Sequence, residues 1–383
     1  MASQDEKPSI QSRHKVPPSK SGATAMERND PLKVMKIGSR QKFVIKDMEN
    51  KGKGAVAVKD IEEGELILAE SPLFIVPWWV RTSPYPGKEV NDYILDRLSL
   101  LSEKEQASFY ALSDCKCSVD EEKSEMGIWR TNNFALGRSS KKCDNAIFIA
   151  ISRFNHSCVP LAEFHWNTDL KRQEIRAIVP IQGGQEITLC YVTSEVLTKS
   201  KSERQKRFWE HYGFECACPD CQLQGPRSLD NDAMRERVAQ LERKIIDLIY
   251  VEVKTEPSEG DSGDPNNGDF EPEQRLSRSS SRVAEDFEEA LKHATERFRL
   301  MKRLGFKAVS LLDACSMIVD IAYDVPDYRT AKMFCKEGLR LSKMLYGWIS
   351  SQYKDWEERL SLVQEYQNLS KTISSYHQNK ASG

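Results

Sequence analysis

Apolar and polar positions follow two different rhythms in the two halves of this chain. As far as Cys221, short runs of β-branched and aromatic residues alternate with turns rich in Gly, Asp and Asn, as in "QKFVIKDMENKGKGAVAVKDIEEGELILAES". This alternation predicts β-strands joined by hairpins. Further strand-like runs are "DNAIFIAIS", "AEFHWN", "QEIRAIV" and "QEITLCYV". Between the runs, "VNDYILDRLSLLSEKEQASFYAL" has helical character, so the first half is predicted to be β-rich with a helical insert.

Helical periodicity dominates after Cys221. Apolar residues recur at spacings of three and four, which places each set on one face of a helix. The two sets are Phe287, Leu291, Ala294, Phe298 and Met301, then Leu312, Cys315, Val319 and Ala322. A third such helix is predicted in "DYRTAKMFCKEGLRLSKMLYG", between Pro326 and Gly347. Consecutive amphipathic helices with short connections indicate an antiparallel array similar to tetratricopeptide repeats, although no clean repeat signature is present.

These changes of pattern predict a multi-domain α+β chain. Its start is rich in Ser, Pro, Lys and Gln and has no apolar periodicity, which is typical of disorder. A later stretch rich in acidic residues, Gly, Pro and Asn is typical of a flexible linker. The predicted divisions are a disordered tail at 1–36, a β-rich domain at 37–207 with its helical insert at about 72–128, a cysteine-bearing segment at 208–225, and a helical domain at 226–383 with the linker at about 254–282.

Charge and cysteine content exclude several classes of partner. The 56 basic and 58 acidic residues nearly balance, so we do not expect direct binding to nucleic acid. No segment approaches the roughly 20 apolar residues that a membrane span requires. The start of the chain does not read as a secretory signal, and ten cysteines without one indicate a reducing compartment. We therefore expect an intracellular protein of the nucleus, the cytoplasm or both.

The segment "FNHSCVP", Phe154 to Pro160, concentrates polar and reactive side chains directly after an apolar run. Three interpretations compete at this point: a cysteine–histidine nucleophilic pair, part of a metal site, or a turn that binds a polar small molecule. Neighbouring residues on an extended chain face opposite sides, which disfavours a working cysteine–histidine pair.

A cluster of cysteines points to a metal. Cys216, Cys218 and Cys221 form a C-x-C-x-x-C pattern, whose thiols can converge on one soft cation more easily than they can pair. Zinc prefers four tetrahedral ligands. Cys158 in "FNHSCVP" is the best candidate for the fourth, and as a zinc ligand it could not act as a nucleophile.

The remaining cysteines carry weaker signals. Cys115 and Cys117 are interpreted as loop residues without a metal role. The others lie in or beside apolar patterns and are predicted to be small buried side chains. These are Cys143, Cys190, Cys315 and Cys335.

The order "KGKG", "NHSCVP", "GGQEITLCY" and "FECACPDC" resembles the SET-domain protein lysine methyltransferases, and in particular the SET-and-MYND group and its MYND-lacking fungal relatives. The resemblance covers about Lys42 to Cys221. It implies a β-rich pseudoknot fold for 37–207 and a zinc-binding post-SET segment at 208–225. It also implies S-adenosylmethionine as cofactor, structural zinc, and a lysine-containing segment of a histone or non-histone protein as substrate.

The resemblance also assigns roles residue by residue. Tyr191 and Tyr212 correspond to the catalytic tyrosine and a wall of the lysine channel, and Cys158, Cys216, Cys218 and Cys221 to the zinc ligands. The implied contacts to the cofactor are Gly52, Lys53, Gly54, Asn132, Asn155, His156, Tyr191 and Phe214. Asn155 and His156 are expected to face the cofactor while Cys158 faces the metal.

Three departures from the family pattern and two alternatives accompany this interpretation. Leu161 stands where the family has Asn, Gln185 replaces the first carboxylate of a "GEE" motif, and residues 71–128 hold only two cysteines, too few for a MYND module. Leu161 and the divergent insert suggest a catalytically degenerate protein that only binds partners. The cysteine cluster beside the basic "KSKSERQKR" suggests a zinc-dependent nucleic-acid binder, but that run is interpreted as a solvated helix face.

Overall fold

The computed structural model describes residues 41–49, 51–83, 86–117, 122–137, 142–249 and 283–381. The predicted tail at 1–36 and linker at about 254–282 lie outside the described residues. Within the described ranges, no helix combines the length and apolar character needed to cross a membrane.

Strands and short helices alternate up to Tyr212, and longer helices follow. The strands are β1 (Phe43–Met48), β2 (Gly52–Ala57), β3 (Leu66–Glu70), β4 (Phe74–Val76), β5 (Asn133–Ala135), β6 (Asn145–Ile147), β7 (Ala162–Asn167) and β8 (Arg172–Ala177). The helices are α1 (Trp78–Arg81), α2 (Pro86–Ser99), α3 (Glu103–Tyr110), α4 (Glu125–Asn132), α5 (Ser194–Leu197), α6 (Lys201–Tyr212), α7 (Gly225–Ile249), α8 (Val283–Arg303), α9 (Ala308–Asp324), α10 (Tyr328–Tyr346) and α11 (Ser351–Ala381), with a 3-10 turn at Ile151–Arg153. This is the α+β class predicted from the sequence.

The strands form three small antiparallel sheets, ordered β1-β2, β3-β8-β7 and β4-β6-β5. The helices α1–α4 lie between β4 and β5 in the chain, the region where the helical insert was predicted. The single helix expected there is interrupted at Ser102, whose side chain caps α3 in a reciprocal arrangement with Glu105.

The run "QEITLCYV", predicted as a strand, is not a regular strand. Instead it forms isolated bridges to two different segments. Ile187 N–H donates to the carbonyl of Ala55 in β2 at 2.8 Å, and Leu189 exchanges hydrogen bonds of 2.9 and 2.8 Å with Asn155 and Ser157. The run bonds first to β2 and then to the segment of Asn155 and Ser157, so neither pairing extends into a ladder. It nevertheless brings the "KGKG" and "NHSC" motifs to the same place.

The C-terminal helices pack directly on the loop that follows Asn155. A Cβ built on Gly305 would lie 2.9 Å from Cγ1 of Val159. Val309 N–H at the start of α9 donates to the carboxylate of Glu163 in β7 at 3.2 Å. Both predicted apolar faces in α8 and α9 are buried, which confirms the helical periodicity of this half.

Candidate active site and metal centre

Three sequence motifs meet around Gly54. A Cβ on this glycine would lie 3.0 Å from Nδ2 of Asn155 and 3.1 Å from Oε1 of Glu186. Asn155 donates its side-chain N–H to Glu186 at 2.8 Å, and Lys51 pairs with the other carboxylate oxygen at 2.8 Å. Glu186 therefore links the "KGKG" turn to the "NHSC" loop, and only a glycine at position 54 leaves space between them.

The other residues of the glycine turn and the insert are placed less directly. Gly52 has a φ of +68°, a conformation that favours glycine, and lies opposite Met48 in the β1–β2 pair. The side chain of Lys53 pairs with Asp47 on the surface, so only its backbone is available to the site. Asn132 is buried at the end of α4, and its amide N–H groups are already held by backbone carbonyls at 2.7 Å, which leaves its oxygen.

The His156 ring lies between the cysteine cluster and the aromatic residues Tyr191 and Phe214, and its contact with a cofactor stays a prediction. Its Nδ1 accepts the backbone N–H of Tyr191 at 3.1 Å, so the ring proton lies on Nε2, 3.6 Å from Sγ of Cys158. Burial lowers the pKa of His156 to about 3, so the imidazole is neutral at physiological pH. Its backbone N–H and C=O point away from Leu189, because neighbouring residues of a bridged strand direct these groups to opposite sides.

An aromatic cluster adjoins His156. The ring centroids of Tyr191 and Tyr212 are 5.4 Å apart, and those of Tyr212 and Phe214 are 6.2 Å apart. Phe208, which was not predicted from the sequence, stacks on Phe214 with 5.5 Å between ring centroids. The centroid of its ring lies 4.3 Å from that of His156. The cluster is apolar except for two hydroxyl groups, and its position brings the predicted tyrosines and Phe214 together.

The hydroxyl of Tyr191 is fixed in place. It donates to the carbonyl of Phe154 at 2.7 Å, immediately before Asn155. Burial raises the pKa of Tyr191 above its ordinary value, and burial likewise raises the pKa of Tyr212. Both tyrosines are therefore protonated near neutral pH, and neither can serve as a general base there.

The four predicted metal ligands converge. The sulfurs of Cys158, Cys216, Cys218 and Cys221 lie within 4.8 Å of one another, and all four residues are buried. Cys158 and Cys221 are separated by 3.7 Å between sulfurs, whereas two thiolates on a tetrahedral zinc ion stand about 3.8 Å apart. The neighbouring thiols and burial raise the pKa of Cys158, so a cation is needed before these sulfurs can all be thiolates. The donor set and its spacing fit zinc.

Charge around this cluster is balanced by donors that the sequence analysis did not identify. Arg204 in α6 is fully buried with a guanidinium nitrogen 3.7 Å from the Cys221 sulfur. Its run was interpreted as a solvated helix face, and for Arg204 that is wrong. Gln205 holds the loop through two bonds of 2.7 Å, to the backbone N–H and C=O of Cys216. The spacing of four between Arg204, Phe208 and Tyr212 was the available signal, because it places them on one helix face.

The two substitutions relative to the family pattern leave the backbone of the site intact. Leu161 N–H bonds to the carbonyl of Thr188 at 3.2 Å and its own carbonyl accepts from Ile178 at 3.0 Å, so the leucine side chain simply joins the core. Gln185 accepts a hydrogen bond from the N–H of Gln182 at 2.8 Å within an exposed turn.

The other cysteines have structural surroundings. The four predicted to be buried side chains are buried: Cys143, Cys190, Cys315 and Cys335. Cys115 is half-buried in the insert, and its sulfur donates to the carbonyl of His211 at 3.3 Å. A Cβ on Gly213 would lie 2.9 Å from the Cys115 carbonyl, so the insert packs on the end of α6 next to Tyr212.

Curated relatives of this chain are lysine methyltransferases. The histone-lysine N-methyltransferase set5 of Schizosaccharomyces pombe is 28% identical over 210 residues, which are 55% of this chain and 60% of that protein. The protein-lysine N-trimethyltransferase SMYD5 of Mus musculus is 34% identical over 77 residues, 20% of this chain and 18% of its own length. The protein-lysine N-methyltransferase SMYD4 of Homo sapiens is 38% identical over 81 residues, 21% of this chain and 10% of its own. The matches thus span at most 60% of these three relatives.

One solved structure and one family model also resemble this chain. A crystal structure of the SET domain of LSMT bound to lysine and AdoHcy covers 86% of this chain and 88% of its own, at 11% identity and a TM-score of 0.32, which is too low to support an argument. The SET domain model matches residues 52–192, from Gly52 in the glycine turn to the residue after Tyr191. Residues 52–192 of this chain therefore belong to the SET-domain family.

Proposed function

We propose that this protein is an S-adenosylmethionine-dependent protein-lysine N-methyltransferase that methylates the ε-amine of a lysine in a histone or non-histone protein. The observation that carries the proposal is the aromatic cluster of Tyr191, Tyr212 and Phe214. It lies against the loop of Asn155 and His156, inside a SET domain. The relatives described above are lysine methyltransferases, which supports the same reaction class.

The cofactor would be held by backbone groups and small residues. Its methionine end carries an ammonium and a carboxylate, which need acceptors and donors at close range. Both kinds are offered by the backbone N–H and C=O of His156, which point away from Leu189, by the Oδ1 of Asn155 and by the backbone beside Gly54. The fit is supported by the close packing of Gly54 against Asn155 and Glu186, which brings the backbone of the glycine turn next to these polar side chains. When bound, S-adenosylmethionine supplies a methyl group on a positively charged sulfur.

The aromatic cluster would make the substrate amine reactive. A lysine side chain has an unperturbed pKa of about 10.4, so near neutral pH only about one in a thousand is neutral. An apolar channel disfavours the charged form and lowers that pKa. The faces of Tyr191 and Tyr212 can orient the cationic or methylated amine. Since both hydroxyls remain protonated, the lysine proton would leave to water before transfer.

The thiol cluster would have a structural role. One zinc ion would join Cys158, next to the cofactor loop, to the three cysteines that follow Phe214. The metal would thereby fix Tyr212 and Phe214 over the loop that holds Asn155. We further propose an intracellular location, in keeping with the ten cysteines of the sequence, four of which converge on the candidate metal site.

Transfer of a labelled methyl group tests the proposal. Purified protein is incubated with methyl-labelled S-adenosylmethionine and a cell extract, and the labelled residue is mapped by mass spectrometry. We expect label on lysine side chains of one or a few proteins, dependent on Tyr191. Cofactor binding without any labelled protein would refute the enzyme proposal and favour a partner-binding SET domain.

A further inference from the structure

A buried carboxylate, Glu70 at the end of β3, holds a turn of the backbone. It is 3% exposed, and its oxygens accept the backbone N–H groups of Ile149, Ala150 and Ile151 at distances between 2.8 and 3.1 Å. These three N–H groups stand at the start of the 3-10 turn Ile151–Arg153. One side chain therefore satisfies all three donors of a sharp change in chain direction.

Uncharged residues share the sheet face of Glu70. Strand alternation places Leu68 on this face, and register brings in residues from β8 and β7. These are Gln173, Ile175, Phe164 and Trp166. The charged residues of β8, which are Arg172, Glu174 and Arg176, project from the opposite face. Glu70 is thus held by backbone N–H groups alone, without a neighbouring cation among the described residues.

Gln173 is the polar neighbour of Glu70. It lies directly opposite Glu70 in the strand register and is fully buried. Its side-chain oxygen and nitrogen have no hydrogen-bond partner among the described residues. Removing the Gln173 amide would therefore alter the same core face without touching the turn, which makes it a matched control for Glu70.

The turn that Glu70 holds leads straight into the candidate site. The carbonyl of Phe154, three residues after Ile151, accepts the hydroxyl of Tyr191 at 2.7 Å. The next residue, Asn155, bonds to Glu186 beside Gly54. We propose that Glu70 is a positioning residue: by anchoring the turn it sets the place of the Phe154 carbonyl, and through it the Tyr191 hydroxyl. Its effect on catalysis rests on the proposed methyltransferase function.

The stability contributed by the Glu70 carboxyl group should depend on pH. Burial raises the pKa of Glu70 from 4.5 to about 7, against the three backbone hydrogen bonds that lower it. A carboxyl group with a raised folded-state pKa contributes stability that is full below pH 4.5 and is lost as the pH rises through 7. The Glu70→Gln variant cannot titrate, so the difference in unfolding midpoint between it and the wild type should change between pH 5 and 8 and level off above.

Three variants of the full chain test the anchor: Glu70→Gln, Glu70→Ala and Gln173→Met. Hydrogen exchange of the amides at 149–151, affinity for S-adenosylhomocysteine by calorimetry, and turnover are measured for each. A glutamine keeps one carbonyl acceptor and an alanine keeps none, so exchange should accelerate in the order wild type, glutamine, alanine, by about tenfold or more in the last. Turnover should fall in the same order, with a smaller change in KM for the protein substrate. Gln173→Met should leave exchange at 149–151 within about twofold of wild type.

The outcomes separate the two proposals. Unchanged hydrogen exchange at 149–151 in the Glu70 variants, or an equal acceleration in Gln173→Met, would contradict the proposal that Glu70 anchors the turn. Faster exchange with turnover intact would overturn the positioning role. If Glu70→Ala does not fold, Glu70→Gln carries the same test. A wild type that transfers no methyl group refutes the proposed function, whereas exchange at 149–151 across the series still decides whether Glu70 anchors the turn.

Discussion

The backbone N–H of Tyr191 donates to Nδ1 of His156 at 3.1 Å, and the other nitrogen of the same ring lies 3.6 Å from the Cys158 sulfur. One imidazole therefore joins the aromatic cluster to the thiol cluster. A donor aimed at a metal-bound thiolate stabilises its negative charge and orients it. The consequence is that metal binding and the position of Tyr191 are mechanically coupled.

Loss of one thiol should remove the metal and loosen this connection. Cys216→Ser is expected to lower bound zinc from about one per chain to a small fraction, because a structural site needs four protein ligands. Turnover and thermal stability should fall with it, since binding contributes directly to folding free energy. Elemental analysis of purified protein gives the zinc content.

The control for this change is Cys335→Ser, which alters a buried cysteine of α10 away from the cluster. It should lower stability through a buried hydroxyl but keep full zinc content. Equal zinc in both variants would show that the cluster does not hold the metal.

Removal of the Tyr191 hydroxyl should affect turnover far more than binding. Tyr191→Phe leaves the ring in the cluster but orphans the Phe154 carbonyl, which now accepts the hydroxyl at 2.7 Å. We expect turnover to fall by about tenfold or more, with S-adenosylhomocysteine affinity within about threefold. Tyr110→Phe is the matched control, because that hydroxyl bonds to Glu125 on the insert surface. A mutant with wild-type turnover would show that Tyr191 is misassigned.

The pH dependence of the reaction should not report Tyr191. Burial raises the pKa of Tyr191, so its hydroxyl stays protonated across the range in which the enzyme is assayed. The rate should rise with pH because more substrate lysine is neutral. The residual activity of Tyr191→Phe should follow a curve of the same shape between pH 6 and 9. A flat profile in the mutant would mean that the tyrosine acts as the base.

Much of this site could be predicted from the sequence, because its residues lie in short motifs and because a zinc ion requires a fixed number of ligands. Three cysteines in C-x-C-x-x-C require a fourth ligand, and Cys158 does lie with them. The contact of one His156 nitrogen with the Cys158 sulfur was not predicted, although strand alternation places residues two apart on the same side.

Other features depend on contacts that no sequence spacing reveals. Glu70 and the turn it holds are 79 to 81 positions apart. Arg204 resembles its exposed basic neighbours in sequence and differs only because its helix packs on the thiol cluster. The segment around Leu189 has the composition of a strand, but it pairs with two different segments. These features arise from the threading of the chain, which local propensity does not encode.

A methyl group at position 54 should weaken cofactor binding. In Gly54→Ala the new Cβ would clash with the Met48 side chain and crowd Asn155 and Glu186, so these side chains would have to shift. We expect affinity for S-adenosylhomocysteine to fall by about tenfold or more, which calorimetry measures directly. Gly87→Ala is the control, because nothing lies within 4 Å of a Cβ there. If both variants bind equally well, the "KGKG" turn is only a hairpin.

The helical half should matter to the site through Gly305. Gly305→Ala and Gly347→Ala both force alanine to a positive φ, +66° and +81°, which strains the backbone by on the order of 1–3 kcal/mol each. They differ in surroundings: a Cβ at position 305 presses on Val159, next to Cys158, whereas at 347 it meets only the Arg176 guanidinium at 3.8 Å. Both variants should therefore lose stability, and Gly347, with a ψ of 161°, controls for backbone strain, but only Gly305→Ala should also reduce zinc retention against a chelator and cofactor affinity. Identical zinc retention in the two would show that the helices support the fold without acting on the metal centre.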